Sequence, residues 1–298
     1  MGQPKTIFLT GGNGFIGRNI IEQLGGTYTI YAPSRSELDL LDSNAVYTYL
    51  QKYPVDIVIH AANIGGKRNS TDTGDWEEKN MAMFQHIIAA KEFFSRMIML
   101  GSGAEYDKSK AISLVSEEDF GTSVPKDGYG KCKWDISNFA EQVDYITHLR
   151  LFAMFGPYED YRVRCISNNI CRAIYNIPLR VNQNVYFDYT YIDDLVRIID
   201  WFLQQETVLY KHYNICSNRQ VDLVSLAQLI QKFSKNEVEI QVAKPGFGNE
   251  YTGNNDRLLA ELGDFQFTPI EEAIRLLYTW YEQRKPTIDK ESLFFDGR

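Results

Sequence analysis

The sequence predicts an α/β protein in which a doubly wound parallel sheet carries a smaller, mixed α/β cap. Short apolar segments alternate with amphipathic stretches through the first half of the chain, which is the pattern of β-α-β units. A glycine-rich turn directly follows the first of these segments, and the alternation becomes irregular after Gly156. We therefore expect the sheet domain over residues 1–160, with a return segment near 186–215, and the cap over 161–185 and 216–298.

Five apolar segments of the first half are predicted to be strands of this sheet, because each is a short, nearly continuous apolar run. They are Thr6 to Thr10, Tyr28 to Ala32, Ile57 to Ala61, Met97 to Leu100 and His148 to Phe152. In the second half, a strand is predicted from Asn184 to Tyr189. The segment Lys244 to Gly248 contains a proline and two glycines and is predicted to be a flexible loop.

Helices are predicted where apolar residues recur at helical spacing. The clearest runs from Trp76 to Phe94, and its predicted buried face consists of Met81, Phe84, Ile87, Ile88 and Phe94. Further helices are predicted from Asp127 to Val143, Leu223 to Phe233 and Pro269 to Tyr281. The helices at 76–94 and 127–143 lie between predicted strands of the first half and so fit the β-α-β pattern.

Composition argues against several classes of function. The net charge is −8, whereas proteins that bind nucleic acids carry a basic face, so we expect no nucleic-acid partner. No apolar segment approaches the roughly 20 residues that a membrane helix needs, and no signal peptide precedes the first strand. The four cysteines show no C-x-x-C spacing. We therefore expect a cytoplasmic protein with reduced thiols, no membrane partner and no metal site.

A glycine-rich turn connects the first predicted strand to a helix. Glycine lets the backbone turn tightly and approach a pyrophosphate, and the helix N-terminus supplies unpaired N–H groups and a partial positive charge. An ordinary glycine turn is the alternative, but the position between a strand and a helix favours a dinucleotide-binding, Rossmann-type turn. The expected cofactor contacts in this turn are Gly11, Asn13, Gly14, Phe15, Ile16 and Gly17.

The end of the second strand bears on which dinucleotide binds. An acidic residue there would bond the ribose hydroxyls of NAD, whereas an arginine can pair with the 2′-phosphate of NADP. The segment that follows the second strand contains Ser34 and Arg35, and its first acidic residue is Glu37. NADP(H) is therefore favoured and NAD is the alternative. A solvated loop charge is the other interpretation of Arg35.

Contacts with the adenine and at the end of the third strand are expected from Asp39, Leu40, Ala61 and Ala62.

A tyrosine and a lysine four residues apart form the candidate catalytic pair. Tyr129 and Lys133 lie on one face of a predicted helix. A lysine ammonium beside a phenol favours loss of the phenol proton, so Tyr129 can exchange a proton with a carbonyl or alcohol while nicotinamide exchanges a hydride. Lys133 can also hold the nicotinamide ribose. This spacing alone is common on surface helices, but Ser102, after the fourth strand, can donate a hydrogen bond to the same substrate oxygen.

These residues together resemble the extended short-chain dehydrogenase/reductase family, also called the NAD-dependent epimerase/dehydratase family. The three glycines, Asp39-Leu40, Ser102, Tyr129 and Lys133 occur in the family's order. Within the family the chain most resembles the GDP-fucose synthases, and Thr190 to Asp194 resembles the extended family in general. The segments that carry the closer resemblance are Ser34 to Asp42, Ala62 to Gly66, Leu100 to Ser102 and Gly156-Pro157. The resemblance implies a Ser-Tyr-Lys triad, NADP(H), and a nucleotide sugar held between the cofactor domain and the cap.

Departures from the family's pattern narrow the implied chemistry. The sugar 4,6-dehydratases carry an Asp-Glu pair where this chain has Gly103 and Ala104, so we do not expect dehydration. GDP-fucose synthases use a cysteine at the position of Ala104 and a histidine in the cap for epimerisation. Cys165 takes the place of that histidine, or Arg164 if the alignment shifts. We therefore expect keto reduction without the full double epimerisation, with Cys165 either an acid or a packed thiol.

The resemblance also implies contacts with the nucleotide. Arg172 resembles the family's phosphate-binding arginine, whereas Phe187 replaces a second one. The expected substrate contacts are Ser102, Gly103, Cys165 and Arg172. The predicted function is an NADPH-dependent reductase of a nucleotide-linked 4-keto-6-deoxysugar, and the alternatives are a 4-epimerase with tightly bound NAD and a non-catalytic cofactor-binding protein. A homodimer is implied as well, through the helices predicted at 76–94 and 127–143.

Overall fold

A computed structural model describes residues 4–65, 75–235 and 237–294 of the protein. The strands are β1 (Thr6–Thr10), β2 (Thr29–Tyr31), β3 (Val55–His60), β4 (Phe94–Ser102), β5 (Ile112–Val115), β6 (Ile146–Leu151), β7 (Ala153–Phe155), β8 (Leu179–Asn184), β9 (Tyr186–Tyr191), β10 (His212–Ile215), β11 (Gln220–Asp222), β12 (Ile240–Phe247) and β13 (Tyr251–Gly253). The helices are α1 (Phe15–Leu24), α2 (Ser43–Lys52), α3 (Trp76–Ala89), α4 (Gly128–Glu141), α5 (Cys165–Ile174), α6 (Ile192–Gln204), α7 (Leu223–Phe233), α8 (Asp256–Leu262) and α9 (Ile270–Gln283). Gly66, which ends one segment of the family resemblance, lies outside the described residues.

Six parallel strands form the main sheet in the order β2-β1-β3-β4-β6-β10. The chain moves outward in one direction from β1 to β2 and in the other direction from β1 through β3 to β10. The order therefore reverses between β1 and β3. In doubly wound sheets the ligand crevice opens at such a point, beyond the carboxyl ends of the strands. The predicted α/β, doubly wound fold class is confirmed.

The alternation of buried side chains explains why helices cover both faces of this sheet. Ile7 and Leu9 of β1 pack into one apolar cluster, and Phe8 between them packs into another. The first cluster includes residues of α1 and α6, and the second includes residues of α2, α3 and α4. A strand with apolar residues on both faces is typical of a parallel sheet buried between two helical layers.

A second sheet and a small ribbon make up the other part of the fold. The second sheet has the order β11-β9-β13-β5, with β7 paired to β9, and β12 pairs with β8 in the ribbon. In the expected return segment at 186–215, β10 joins the main sheet, whereas β9 lies in the second sheet. Among the described helices, none has the length and apolar character that crossing a membrane demands.

Two predicted elements are wrong in detail. The helix that begins at Trp76 ends at Ala89 instead of Phe94, because the chain turns and Phe94 becomes the first residue of β4. The segment Lys244 to Gly248 is largely strand, since β12 extends to Phe247 and pairs with β8. The pairing shifts register between Lys244 and Phe247, which accommodates the proline in a strand with only one neighbour.

The strand predicted from Asn184 to Tyr189 is divided between two elements. Asn184 is the last residue of β8, and β9 begins at Tyr186. The chain changes sheet at this point, because β8 pairs with β12 and β9 pairs with β11 and β13. The strand-like run in the sequence continues through this point, so it does not show that the chain leaves the ribbon of β8 and enters the sheet of β9.

Candidate active site

The glycine turn joins β1 to α1 beneath the crevice. Gly11 has a φ of +72°, in the region that favours glycine, and its carbonyl accepts from the Gly14 N–H at 2.9 Å. Gly14 precedes α1, and no side chain caps the helix there. The first N–H groups of α1 are therefore free of a side-chain partner, as an anion-binding helix N-terminus requires.

Gly17 allows α1 to pack against this turn. A Cβ atom on Gly17 would lie 2.2 Å from the Gly11 carbonyl oxygen, so any side chain must displace the backbone. We expect Gly17→Ala to weaken the binding of a dinucleotide by at least about tenfold, or ~1.4 kcal/mol. Gly26→Ala is the matched control, because nothing lies within 4 Å of a Cβ there. Fluorescence titration with NADPH checks this, and equal dissociation constants for the two variants would contradict it.

A pocket of about 390 Å³ opens above the turn, within the size range of small-molecule sites. Its lining includes nine of the expected cofactor residues, which are Gly11, Asn13, Gly14, Ser34, Arg35, Asp39, Leu40, Ala61 and Ala62. Five others, Phe15, Ile16, Gly17, Tyr129 and Lys133, are not part of this lining. Phe15 and Ile16 instead pack against the core. The lining also contains residues that the sequence did not indicate, which are Phe8, Thr10, Gly12, Pro33, Leu38, Asn63, Ile64 and Met83.

A buried hydroxyl holds the end of β3 beside the glycine turn. The Thr10 Oγ accepts from the N–H groups of Ala61 and Ala62, at 3.1 Å each. The same hydroxyl lies 2.8 Å from Nδ1 of His60. Burial lowers the pKa of His60 to about 3, with the charge of Lys133 acting in the same direction, so this imidazole is neutral at pH 7. His60 therefore supports the wall of the pocket.

The turn after β2 leaves one cation exposed at the rim of the pocket. The backbone N–H and the hydroxyl of Ser34 both donate to the Glu37 carboxylate, at 2.7 Å each. These bonds lower the pKa of Glu37, with the backbone bond contributing most. Arg35 is exposed and makes no hydrogen bond or ion pair with the part of the chain that the structure describes. Its guanidinium is therefore available to an anionic ligand, whereas the Ser34 hydroxyl is engaged by Glu37.

The first turns of α4 carry the tyrosine and lysine pair. The side chain of Asp127 accepts from the Gly130 N–H at 2.9 Å and so caps the helix. Lys133 is buried, and its Nζ donates to the Leu100 carbonyl of β4 at 3.4 Å. Tyr129 is partly exposed, and the Lys108 Nζ lies 5.5 Å from its ring centroid. The Lys133 ammonium thus lies against β4, and its charge contributes to the lowered pKa of His60, the last residue of β3.

Ser102 is the last residue of β4 and caps the short 3-10 turn Gly103–Tyr106. Its Oγ accepts from the Ala104 N–H at 3.1 Å, and its own N–H donates to the Glu105 carboxylate at 2.9 Å. The first bond orients the serine side chain and the second holds its backbone, at the carboxyl edge of the sheet and one strand away from the pocket. Sequence reasoning found Ser102 from its position after a predicted strand.

A buried ion cluster behind Ser102 was not predicted. The Glu105 carboxylate lies 2.8 Å from Nε of Arg150 and 3.3 Å from Nε2 of His148, and all three side chains are inaccessible to solvent. Burial alone would raise the pKa of Glu105, but His148, Arg150 and the Ser102 N–H outweigh it and hold the value at about 2. The carboxylate is therefore charged at pH 7 and keeps the Ser102 backbone in place.

Tyr251 is a further residue of this site that sequence reasoning missed. Burial raises the pKa of its phenol above the ordinary value. A Cβ atom on Gly103 would lie 2.7 Å from the Tyr251 hydroxyl oxygen. Tyr251 belongs to β13, which is far from Ser102 in sequence, so only the pairing of β13 in the second sheet could have indicated its position.

The remaining expected substrate residues lie on α5. Cys165 is its first residue, and the Asn169 amide lies 3.6 Å from the sulfur. Arg172 is buried and donates to the carbonyls of Pro178 and Leu293. Backbone carbonyls thus occupy the Arg172 guanidinium, and its expected contact with nucleotide phosphates stays a prediction without structural support.

The fold, and the pocket above its glycine turn, are those of an α/β protein of the dinucleotide-binding class. The profile of the NAD dependent epimerase/dehydratase family matches residues 7–216. The chain therefore belongs to this family.

Relatives with assigned names support this membership. The chain is 36% identical to GDP-L-colitose synthase of Yersinia pseudotuberculosis over 249 residues, which cover 76% of this chain and 81% of the relative. It is 32% identical to GDP-L-fucose synthase of Escherichia coli (strain K12) over 313 residues, covering 93% and 96% of the two chains. A crystal structure of a GDP-L-fucose synthetase from Naegleria fowleri superposes with a TM-score of 0.82 at 18% identity, covering 97% and 96%, which supports the fold alone.

Proposed function

We propose that the protein is an NADP(H)-dependent reductase of a nucleotide-linked 4-keto-6-deoxysugar. One observation carries this proposal: Lys133, one helical turn after Tyr129, reaches the Leu100 carbonyl of the strand that Ser102 ends, and the neighbouring strand leads into Ala61 and Ala62 of the pocket lining. The names of two relatives, GDP-L-colitose synthase and GDP-L-fucose synthase, support a nucleotide sugar as the substrate.

The three side chains have distinct roles in this proposal. When bound, the cofactor supplies a hydride to the keto carbon. Tyr129 delivers the proton to the keto oxygen, and Ser102 donates a hydrogen bond that holds this oxygen in place. The Lys133 ammonium stabilises the phenolate that Tyr129 becomes, and its contact with the Leu100 carbonyl keeps it on that side of the helix.

The residues after Ser102 favour reduction over dehydration. Elimination of water needs an acid and a base near the sugar, and neither Gly103 nor Ala104 can transfer a proton. The hydroxyl oxygen of Tyr251 lies where a side chain of residue 103 would begin. Positions 103 and 104 therefore lack the acid and the base that dehydration needs.

Arg35 supports NADP(H) as the cofactor. Its guanidinium lines the pocket rim and is free to pair with a 2′-phosphate, and a structure of the Naegleria fowleri protein is described as bound to NADP. We expect Arg35→Ala to weaken NADPH binding by roughly tenfold or more, because a hydrogen bond to a charged group contributes about 1.5–3 kcal/mol. NADH is the matched control ligand, since it lacks the 2′-phosphate. Titration of both cofactors checks this, and an equal loss for NADPH and NADH would contradict the assignment.

Screening of nucleotide-linked keto sugars tests the function directly. The absorbance of NADPH is followed while each sugar is added to the purified protein. A reductase consumes NADPH in step with the sugar, whereas a 4-epimerase returns its hydride and shows no net consumption.

The cytoplasmic location and the homodimer through α3 and α4 stay predictions.

A further inference from the structure

We propose that Arg150 is a positioning residue of this active site, whose guanidinium fixes the helix of Tyr129 against the turn that begins at Ser102. The proposal rests on the proposed keto reduction, since it assigns Ser102 and Tyr129 to one substrate oxygen. It goes beyond that function because Arg150 is inaccessible to solvent and so acts only through the residues that it holds.

Strand pairing places Arg150 beside the end of β4. Arg150 belongs to β6 and pairs with Gly101 of β4, the residue before Ser102. A Cβ atom on Gly101 would lie 2.5 Å from a carboxylate oxygen of Glu105 and 1.8 Å from Nε2 of His148. The absence of a side chain at position 101 therefore leaves the space that the Glu105 carboxylate occupies beside Arg150.

The guanidinium of Arg150 holds the turn after β4 through Glu105. Its Nε donates to one oxygen of the Glu105 carboxylate at 2.8 Å, and the other oxygen accepts from the Ser102 N–H at 2.9 Å. Its Nη1 donates to the Tyr106 hydroxyl, in the same turn, at 3.5 Å. Hydrogen bonds between ionised groups are about twice as strong as neutral ones. One carboxylate therefore connects the arginine firmly to the backbone of the serine.

The same guanidinium holds α4 through Ser137. Its Nη2 donates to the Ser137 Oγ at 2.8 Å, and Ser137 is fully buried. Ser137 lies one helical turn after Lys133 and about two turns after Tyr129. The same Nη2 lies 3.9 Å from the carboxylate of Glu141, the last residue of α4. The arginine thus connects the helix of the tyrosine and lysine pair to the turn of the serine.

A planar guanidinium is suited to this connection. It presents its N–H donors in a rigid fork, so the bonds made by Nε and Nη2 keep a fixed angle to each other. The ring of Phe120 also packs against it, with 4.1 Å between the Arg150 Cζ and the ring centroid. This contact adds a cation–π attraction and restricts rotation of the guanidinium. One rigid group therefore sets the distance between α4 and the turn after β4.

The proposed reaction depends on this distance. Ser102 and Tyr129 belong to different elements, and both hydroxyls must reach one substrate oxygen. The Lys133 ammonium also connects α4 to β4, but its bond to the Leu100 carbonyl is 3.4 Å long and is made by a flexible side chain. A displacement of about 1 Å within a catalytic set can lower the rate about 100-fold. The shorter bonds of Arg150 therefore have a direct effect on turnover.

The test is a double-mutant cycle on keto-sugar reduction. Ser137→Ala removes the hydroxyl that Arg150 holds on α4 and leaves Glu105 paired, and we expect kcat to fall about 10- to 100-fold. The dissociation constant for NADPH changes little, because the pocket lining that the structure describes contains no residue of α4. Arg150→Lys keeps the charge but has a single nitrogen, so we expect a similar loss of kcat. Ser137→Ala then has no further effect in the Arg150→Lys background.

Asn138→Ala is the matched control on the same helix. Asn138 follows Ser137, and its side-chain amide donates to the Trp134 carbonyl of α4 itself at 2.9 Å. Its loss weakens the helix without touching the connection to Arg150, so we expect wild-type kcat. Urea denaturation measures the stability of both variants. A loss of kcat confined to Ser137→Ala is then not the effect of a weaker helix.

Two kinetic outcomes overturn the proposal. One is wild-type kcat for Ser137→Ala. The other is a pair of independent losses for Ser137→Ala and Arg150→Lys that multiply in the double variant, because the two substitutions would then not act on one connection.

Crystal structures of the substrate-free variants separate this proposal from the proposed function. We expect the distance between the hydroxyl oxygens of Ser102 and Tyr129 to differ from wild type by more than about 0.5 Å in Ser137→Ala, and to be unchanged in Asn138→Ala. If no keto sugar is reduced but this displacement is found, the proposed function fails and the connection stands. If the two oxygens keep their wild-type distance in Ser137→Ala, the role of Arg150 is overturned whatever the activity.

Discussion

Tyr129→Phe is expected to lower kcat for keto-sugar reduction by about 10²- to 10⁴-fold, the usual contribution of general acid catalysis. Phenylalanine has no proton to give to the keto oxygen, so hydride transfer would have to leave an unprotonated alkoxide. The ring remains on α4, and the dissociation constant for NADPH should therefore change little. Steady-state kinetics with an active keto sugar and fluorescence titration of NADPH measure the two quantities separately.

Tyr47→Phe is the control for this loss. Tyr47 also lies on a helix and is exposed, but its hydroxyl donates to Glu92, and neither residue lines the pocket. We expect this variant to keep the wild-type kcat. A Tyr129→Phe protein with wild-type kcat on the true substrate would show that another group supplies the proton.

Glu105→Gln is expected to lower the free energy of unfolding by about 3–5 kcal/mol, because it leaves a buried charge without its partner. The substitution preserves the size of the side chain and can still accept from the Ser102 N–H. It removes the negative charge that lies 2.8 Å from the Arg150 guanidinium, which is inaccessible to solvent. The next carboxylate, Glu141, is 3.9 Å from Arg150 and is partly exposed. Urea denaturation at pH 7 measures the loss.

A second ion pair provides the comparison for this prediction. Glu118 pairs with Arg257, but its side chain is 70% exposed, so we expect Glu118→Gln to cost less than about 1 kcal/mol. Acid should narrow the gap between wild type and Glu105→Gln. The pKa of Glu105 is lowered from 4.5 to about 2, so its charge stabilises the fold fully above pH 4.5 and ceases to do so as the pH falls towards 2. Equal costs for the two variants at pH 7 would contradict a charged, buried Glu105.

The parts of the site that the sequence predicted are local along the chain. The glycine turn needs only a strand, three glycines and a helix in succession, and these determine where a pyrophosphate can approach. Tyr129 and Lys133 are likewise one helical turn apart. Their chemistry could be inferred because the spacing itself brings the two side chains to one face.

The parts that the sequence could not predict depend on distant pairing. Glu105 resembles an ordinary surface acid in the sequence, and its role arises only because β4 and β6 pair and bring Arg150 beside it. Tyr251 lies beside Gly103 only because β13 lies between β9 and β5. Arg172 shows the opposite case, since a residue expected to bind phosphate is held by backbone carbonyls.

Errors in the secondary structure have the same physical origin. Proline and two glycines near residue 246 indicated a loop, yet β12 continues because β8 offers a partner and the bulge absorbs the proline. The helix that begins at Trp76 was extended too far because Phe94 is apolar at helical spacing. Phe94 is buried by the strand that it begins, within the same apolar cluster as the helix.

Transfer of deuterium from labelled NADPH tests the central claim most directly. The purified protein is incubated with NADPH that carries deuterium at C4 of the nicotinamide and with a nucleotide-linked 4-keto-6-deoxysugar, and the product is analysed by NMR and mass spectrometry. We predict one deuterium at C4 of the sugar for each NADPH oxidised. An isomerised sugar that forms without deuterium and without net oxidation of NADPH would contradict the reductase and indicate an epimerase.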